Sequence, residues 1–170
     1  MNILKKVKKS LLLFMINTIL KGTHFFRIKR TLLNQCEGVL IGKNTKVVAP
    51  IYIPVYSNLE IGENSWIGKN FSLEGNGKVV IGNYCDLGPS VTCVTGSHKI
   101  GKNDRRAGEG YNGIVSIGDG TWIGTRSILL VNSTVGRGCV VGAASVITKD
   151  TEENRVYVGC PAKTIRCLEE

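Results

Sequence analysis

The chain has 170 residues, 42% of them hydrophobic, enough for one sizeable core, and its 21 glycines stand against four prolines and 6% aromatic residues. That balance excludes a bundle of long packed helices and points to many short, regularly spaced turns. The formal charge of +9 is no sign of nucleic-acid binding, because eight cations (Lys5, Lys6, Lys8, Lys9, Lys21, Arg27, Lys29 and Arg30) precede the first acidic residue, Glu37, leaving +1 on the rest.

Residues 1–36 form a basic segment, expected to be mainly amphipathic helix over 1–30 and to end near Gly22. The apolar run Leu11–Leu20 is ten residues long and contains Asn17 and Thr18, about half of what a bilayer crossing needs. No small-x-small cleavage site follows it, so a signal peptide is not expected. Two readings of this helix stand. Its lysines could lie on anionic lipid headgroups while Leu11–Ile16, Phe25 and Phe26 enter the interface, which places a cytoplasmic protein peripherally at the inner face of the membrane. Alternatively, the helix docks on its own subunit or on a neighbour. His24, in the same segment, is expected to be structural.

From residue 37 a repeat takes over. Aliphatic residues followed by glycine recur at Ile41, Ile61, Ile67, Ile81, Leu87, Ile117, Ile123, Val135 and Val141, and the aliphatic slots advance by six at 41, 47, 53; 61, 67, 73; 81, 87, 93; 117, 123, 129; and 135, 141, 147. Small residues (Thr45, Ser65, Cys85, Thr121, Ser127, Ser133, Cys139, Ser145) return four positions after most slots. Three hexads close one triangular coil, and corners of that kind require compact side chains and glycine. Stacking about five coils buries an aliphatic interior that no coil could bury alone. The 20-residue steps from 41 to 61 and from 61 to 81 place a two-residue insertion in each of the first coils. Between 93 and 117 there are 18 extra residues, read as a projecting loop at 99–116. The expected organisation is therefore a helical segment at 1–36, the repeat domain at 37–152, and a C-terminal tail at 153–170.

The pattern from Val39 onward resembles the hexapeptide-repeat family, an all-β, left-handed parallel β-helix. The handedness comes from the resemblance alone, since parallel crossovers are otherwise right-handed. Within the family the segments Ser116–Gly124, Val141–Asp150 and Val158–Lys163 are most similar to sugar and xenobiotic O-acetyltransferases. The resemblance implies acetyl-CoA as co-substrate, no metal requirement, and homotrimers whose active sites are shared between neighbouring subunits.

His98 stands five residues after the slot at Cys93, so it points outward where the loop opens. A neutral imidazole there suits removal of a hydroxyl proton during attack on a thioester and later protonation of the thiolate, and the family keeps its general base at this motif position. The same resemblance makes the Thr125 amide the oxyanion donor and sets Trp122 beside the pantetheine arm. It also makes Ala143 and Thr148 backbone contacts of the pantetheine, and Lys149, Lys163 and Arg166 cations near the cofactor's phosphates. One coil before the histidine, ungapped counting puts Gly68 and Asn76 where an asparagine and an aspartate hold the acceptor. Asn70 and Glu74 lie close enough to substitute. That departure turns the expectation from a small galactoside or maltose-like acceptor toward a surface polysaccharide or its lipid-linked precursor.

The alternatives are N-acetylation of an amino sugar or amino acid, and a non-catalytic scaffold on the same prism. A γ-class carbonic anhydrase would need three histidine ligands, and the chain has two histidines. The six cysteines show neither a C-x-x-C pair nor zinc spacing and are expected to be buried small hydrophobes in a reducing compartment.

Overall fold

The computed structural model describes residues 3–169. Every aliphatic slot from Ile41 to Ile147 is buried, and the slots form one continuous core with Phe71, Val79, Val91 and Val115. Burial alternates along each short strand, as a parallel sheet with one inward and one outward face requires.

Three parallel sheets make the faces of a triangular prism. Face one holds Val39–Ile41, Asn58–Ile61, Lys78–Ile81, Ile114–Ile117 and Thr134–Val135. Face two holds Lys46–Val47, Trp66–Ile67, Asp86–Leu87, Trp122–Ile123, Val140–Val141 and Arg155–Gly159, with Ala162–Cys167 added antiparallel at its end. Face three holds Ile51–Tyr52, Phe71–Glu74, Thr92–Val94, Ile128–Leu129 and Val146–Ile147. There are thus five complete coils and the start of a sixth, in which Arg155–Gly159 extends face two.

The small residues do more than fit the corners. Thr45 Oγ1 donates to Gly62 O at 2.6 Å, Thr121 Oγ1 to Gly136 O at 3.0 Å and Ser127 Oγ to Gly142 O at 2.9 Å, and Cys85 and Cys139 place thiols in equivalent slots. Each donor reaches into the following coil, so a ladder of buried hydrogen bonds runs along the prism. Glycines stack at two of the three corners: a Cβ on Gly68 would fall 2.6 Å from the Gly88 carbonyl carbon. The third corner, between faces three and one, has only short stacks, Gly75 against Gly96 and Gly77 against Gly113, and is where the insertions project.

Two helices close the first coil, α1 (Ile3–Thr18) and α2 (Phe26–Leu33), so helix ends at Thr18, before Gly22, and resumes after it. The open edge of the solenoid is paired by side chains. The Asn17 amide both donates to Ile51 O (2.8 Å) and accepts from Ile51 N–H (2.9 Å), and Asn34 does the same with Ile41. An asparagine amide offers the donor and acceptor that a neighbouring strand would, which satisfies the edge. Leu13, Ile16 and Leu33 join the core, and Lys9, fully buried, donates to Val55 O and Ser57 O. Burial lowers the Lys9 and Lys29 pKa values, disfavouring their charged forms.

This docking reverses the polarity expected of α1. Lys5 pairs with Glu37, Lys6 with Tyr56 and Lys9 with backbone carbonyls, so these cations turn toward the prism, while Val7, Leu11 and Phe14 are exposed on the opposite side. Phe26 packs on Trp66 with ring centroids 5.6 Å apart. No helix among the described residues is long and apolar enough to cross a membrane. All six cysteines are free; Cys36, Cys85, Cys93 and Cys139 are buried as expected, whereas Cys160, in the turn before the antiparallel edge strand, and Cys167, at that strand's end, are exposed.

Candidate active site

The 18 extra residues of the third coil do not form an irregular loop. They fold as an antiparallel hairpin, Gly96–Ile100 with Ala107–Asn112, that starts three residues earlier than the expected 99. Ile114–Ser116 already lies in face one, paired with Lys78–Val80. Buried Thr95 fixes the base of the hairpin: its hydroxyl donates to Glu74 O (2.9 Å) and accepts from Gly77 N–H (3.0 Å).

His98 is exposed within the first strand of the hairpin, opposite Gly110. Its Nδ1 lies 2.9 Å from the carbonyl oxygen of Gly108. A carbonyl only accepts, so Nδ1 carries the proton, and in the neutral ring Nε2 keeps its lone pair. Gly110 lies close beside the imidazole: a Cβ there would come within 3.5 Å of His98 Cε1, ordinary contact distance. The surrounding groove, about 380 Å³, is completed by Ser97, Tyr111 and Asn112. These three and Thr95 escaped sequence reasoning because the hexad period stops at the hairpin and carries no signal there.

Glu74 pairs with Val94, on the strand that runs into the hairpin, and its carboxylate accepts the Ser72 hydroxyl. The Asn76 backbone N–H donates to Asn112 Oδ1 at 3.0 Å. Both residues therefore sit at the foot of the His98 hairpin. Asn70 lies at the other end of the same strand, in a groove of about 410 Å³ with Tyr52 and Glu74. Gly68 cannot take an acceptor-binding side chain, because that position is filled by the backbone of Gly88.

The expected cofactor residues gather elsewhere. Trp122 is 58% exposed on face two, and Lys163 and Arg166 lie exposed on the terminal strand of the same face. Thr125 and Ala143 share the corner between faces two and three, where the Thr125 carbonyl accepts from Ala144 N–H at 2.9 Å. Among the described residues no acceptor takes the Thr125 N–H, and glycine at 88 keeps the space before it clear. Thr148 and Lys149 lie across face three, just after its last strand. His98 projects from the corner opposite face two, so His98 and Trp122 are on opposite sides of one prism.

No family model matches the chain. Galactoside O-acetyltransferase from Escherichia coli (strain K12) is 33% identical over 126 residues, 74% of this chain and 62% of the relative, so the chain spans under two thirds of that protein's length. Among solved structures, a maltose O-acetyltransferase from Clostridium difficile 630 superposes with a TM-score of 0.83 at 30% identity, covering 98% of this chain and 87% of that one. A galactoside acetyltransferase in complex with coenzyme A gives a TM-score of 0.83 at 27% identity, covering 97% and 81%. The fold shared with these structures is the left-handed parallel β-helix.

Proposed function

Because this chain belongs to the hexapeptide-repeat acetyltransferases, we propose that it transfers the acetyl group of acetyl-CoA to a sugar hydroxyl, with His98 as general base. One observation carries the proposal: the Gly108 carbonyl holds Nδ1, which leaves Nε2 as the proton acceptor of a side chain that lines an open groove. Nε2 takes the proton of the hydroxyl as its oxygen attacks the thioester carbon. The tetrahedral oxyanion is held by the Thr125 amide of an adjacent subunit. The C–S bond then breaks, and the imidazolium returns its proton to the thiolate of coenzyme A. Trp122, Ala143, Thr148, Lys149, Lys163 and Arg166 hold the cofactor, and Asn70, Glu74 and Asn76 the acceptor. The placement of His98 and Trp122 on opposite sides of one prism supports a homotrimer in which each cleft draws on two chains.

The acceptor we favour is a surface polysaccharide or its lipid-linked precursor. Supporting this, the outward apolar side of α1 (Val7, Leu11, Phe14) belongs to a segment that also exposes Lys8 and Lys21 and has no carboxylate before Glu37. The surface suits an anionic bilayer, whereas a second copy of the same cationic segment would be repelled.

Thiol release from acetyl-CoA by the purified protein, measured across sugars and polysaccharide fragments beside His98→Ala, tests the assignment. Acceptor-dependent release that falls about 10²-fold or more in the variant is expected. No release with any acceptor, together with no binding of coenzyme A, would leave a non-catalytic scaffold.

A further inference from the structure

A cavity of about 640 Å³, larger than the groove beside His98, opens between α2 and the first coil. Four cations line it, Arg27, Arg30, Lys43 and Lys46, together with Phe26 and Asn44, and no carboxylate does. Among the described residues none of the four is in an ion pair. Glu63 is the carboxylate one coil on from Lys43 at the same corner, and it does not pair with Lys43 either. The first turn of α2 adds no acidic residue, and its N-cap, Phe25, offers no capping side chain. Four like charges gathered on one concavity repel each other unless an anion enters. Arg27 and Arg30, three apart on the helix, share a side and present planar forks suited to carboxylate or phosphate. Phe26 supplies an apolar wall and is backed by Trp66, with Lys46 6.0 Å from the centre of the indole ring.

We infer that this cavity binds the oxyanion groups, carboxylate or phosphate, of an anionic carbohydrate acceptor, so that the acceptor extends well beyond the sugar being acetylated. The inference rests on the O-acetyltransferase reading and specifies its substrate class. Register supports the path: Lys46, Trp66, Asp86 and Trp122 are successive partners on face two, which puts the cavity three strand spacings, about 14 Å, from Trp122. A chain several sugars long would span from a cleft at Trp122 to these cations.

Titration calorimetry of the full chain tests it, with a uronate tetrasaccharide, a hexose phosphate, a neutral tetrasaccharide and a DNA oligonucleotide as probes. Arg27→Gln with Lys43→Gln removes two exposed charges, and Arg30→Gln with Lys46→Gln is the independent second variant. At least one anionic sugar should bind the wild type, more weakly as salt rises, and lose about tenfold or more in each variant. The preferred probe identifies carboxylate or phosphate. The neutral sugar and acetyl-CoA should bind all three proteins equally. Equal anion affinity in wild type and variants, parallel loss of acetyl-CoA binding, or tighter binding of the oligonucleotide than of either sugar would overturn the inference. Binding is read without turnover, so failure of the transferase reading appears separately, as absence of thiol release with every acceptor.

Discussion

The Gly108 carbonyl reaches across the hairpin to His98 Nδ1 at 2.9 Å, and that single contact decides which imidazole nitrogen is basic. Asparagine at 98 places an amide N–H where Nδ1–H stands but has no basic nitrogen. His98→Asn should therefore fold with its hairpin intact and lose turnover about 10²-fold or more, the loss expected of His98→Ala. Steady-state kinetics alongside circular dichroism decide this; more than a tenth of wild-type kcat in the asparagine variant would remove His98 from the role of base.

Gly88 should control the oxyanion donor from one coil away. A Cβ there would fall 2.7 Å from Thr125 N and 2.9 Å from its Oγ1. Gly88→Ala is expected to lower kcat about 10²-fold while binding of coenzyme A persists, the size of effect seen when an oxyanion donor is lost. Full activity in a folded Gly88→Ala protein would show that the Thr125 amide is not the donor.

The buried hydroxyl ladder predicts a cost for an isosteric change. Thr121→Val keeps the shape but deletes the donor to Gly136 O, leaving a buried carbonyl without that partner. A loss of about 1–3 kcal/mol in urea unfolding is expected, against almost nothing if the slot asks only for compactness.

Thiol reactivity should divide along the fold. Desolvation pushes the Cys93 thiol to about 12, and burial raises Cys36 and Cys85 as well. Iodoacetamide near pH 8 should label only Cys160 and Cys167 in the native protein and all six cysteines after denaturation, counted by intact mass. Native labelling of Cys93 would mean that the third coil opens.

The outward side of α1 is open to a direct assay. If it meets an anionic bilayer, wild-type protein should float with phosphatidylglycerol vesicles, and Leu11→Glu with Phe14→Glu should abolish flotation at unchanged melting temperature. Flotation equal in both proteins would move any lipid contact off this surface.

Much of this molecule is legible in one dimension because its core is periodic. A slot every six residues fixes which side chains face inward, so the burial of Ile41 through Ile147 follows from counting, and the corners follow from glycine and small residues. The outward position of His98 follows from the same count. Other features depend on contacts between residues far apart in the chain, which a local period does not encode. Asn17 interrupts an apolar run in sequence, yet it closes the solenoid edge by pairing with Ile51, 34 residues on. Lys5, Lys6 and Lys9 look like a cationic membrane face until docking turns them toward Glu37, Tyr56 and the Val55–Ser57 carbonyls. The hairpin, the His98 tautomer and the cluster of unpaired cations at α2 arise where the repeat is interrupted or capped. There the backbone must satisfy its hydrogen bonds with whatever three-dimensional neighbours it finds, and only the tertiary structure decides which those are.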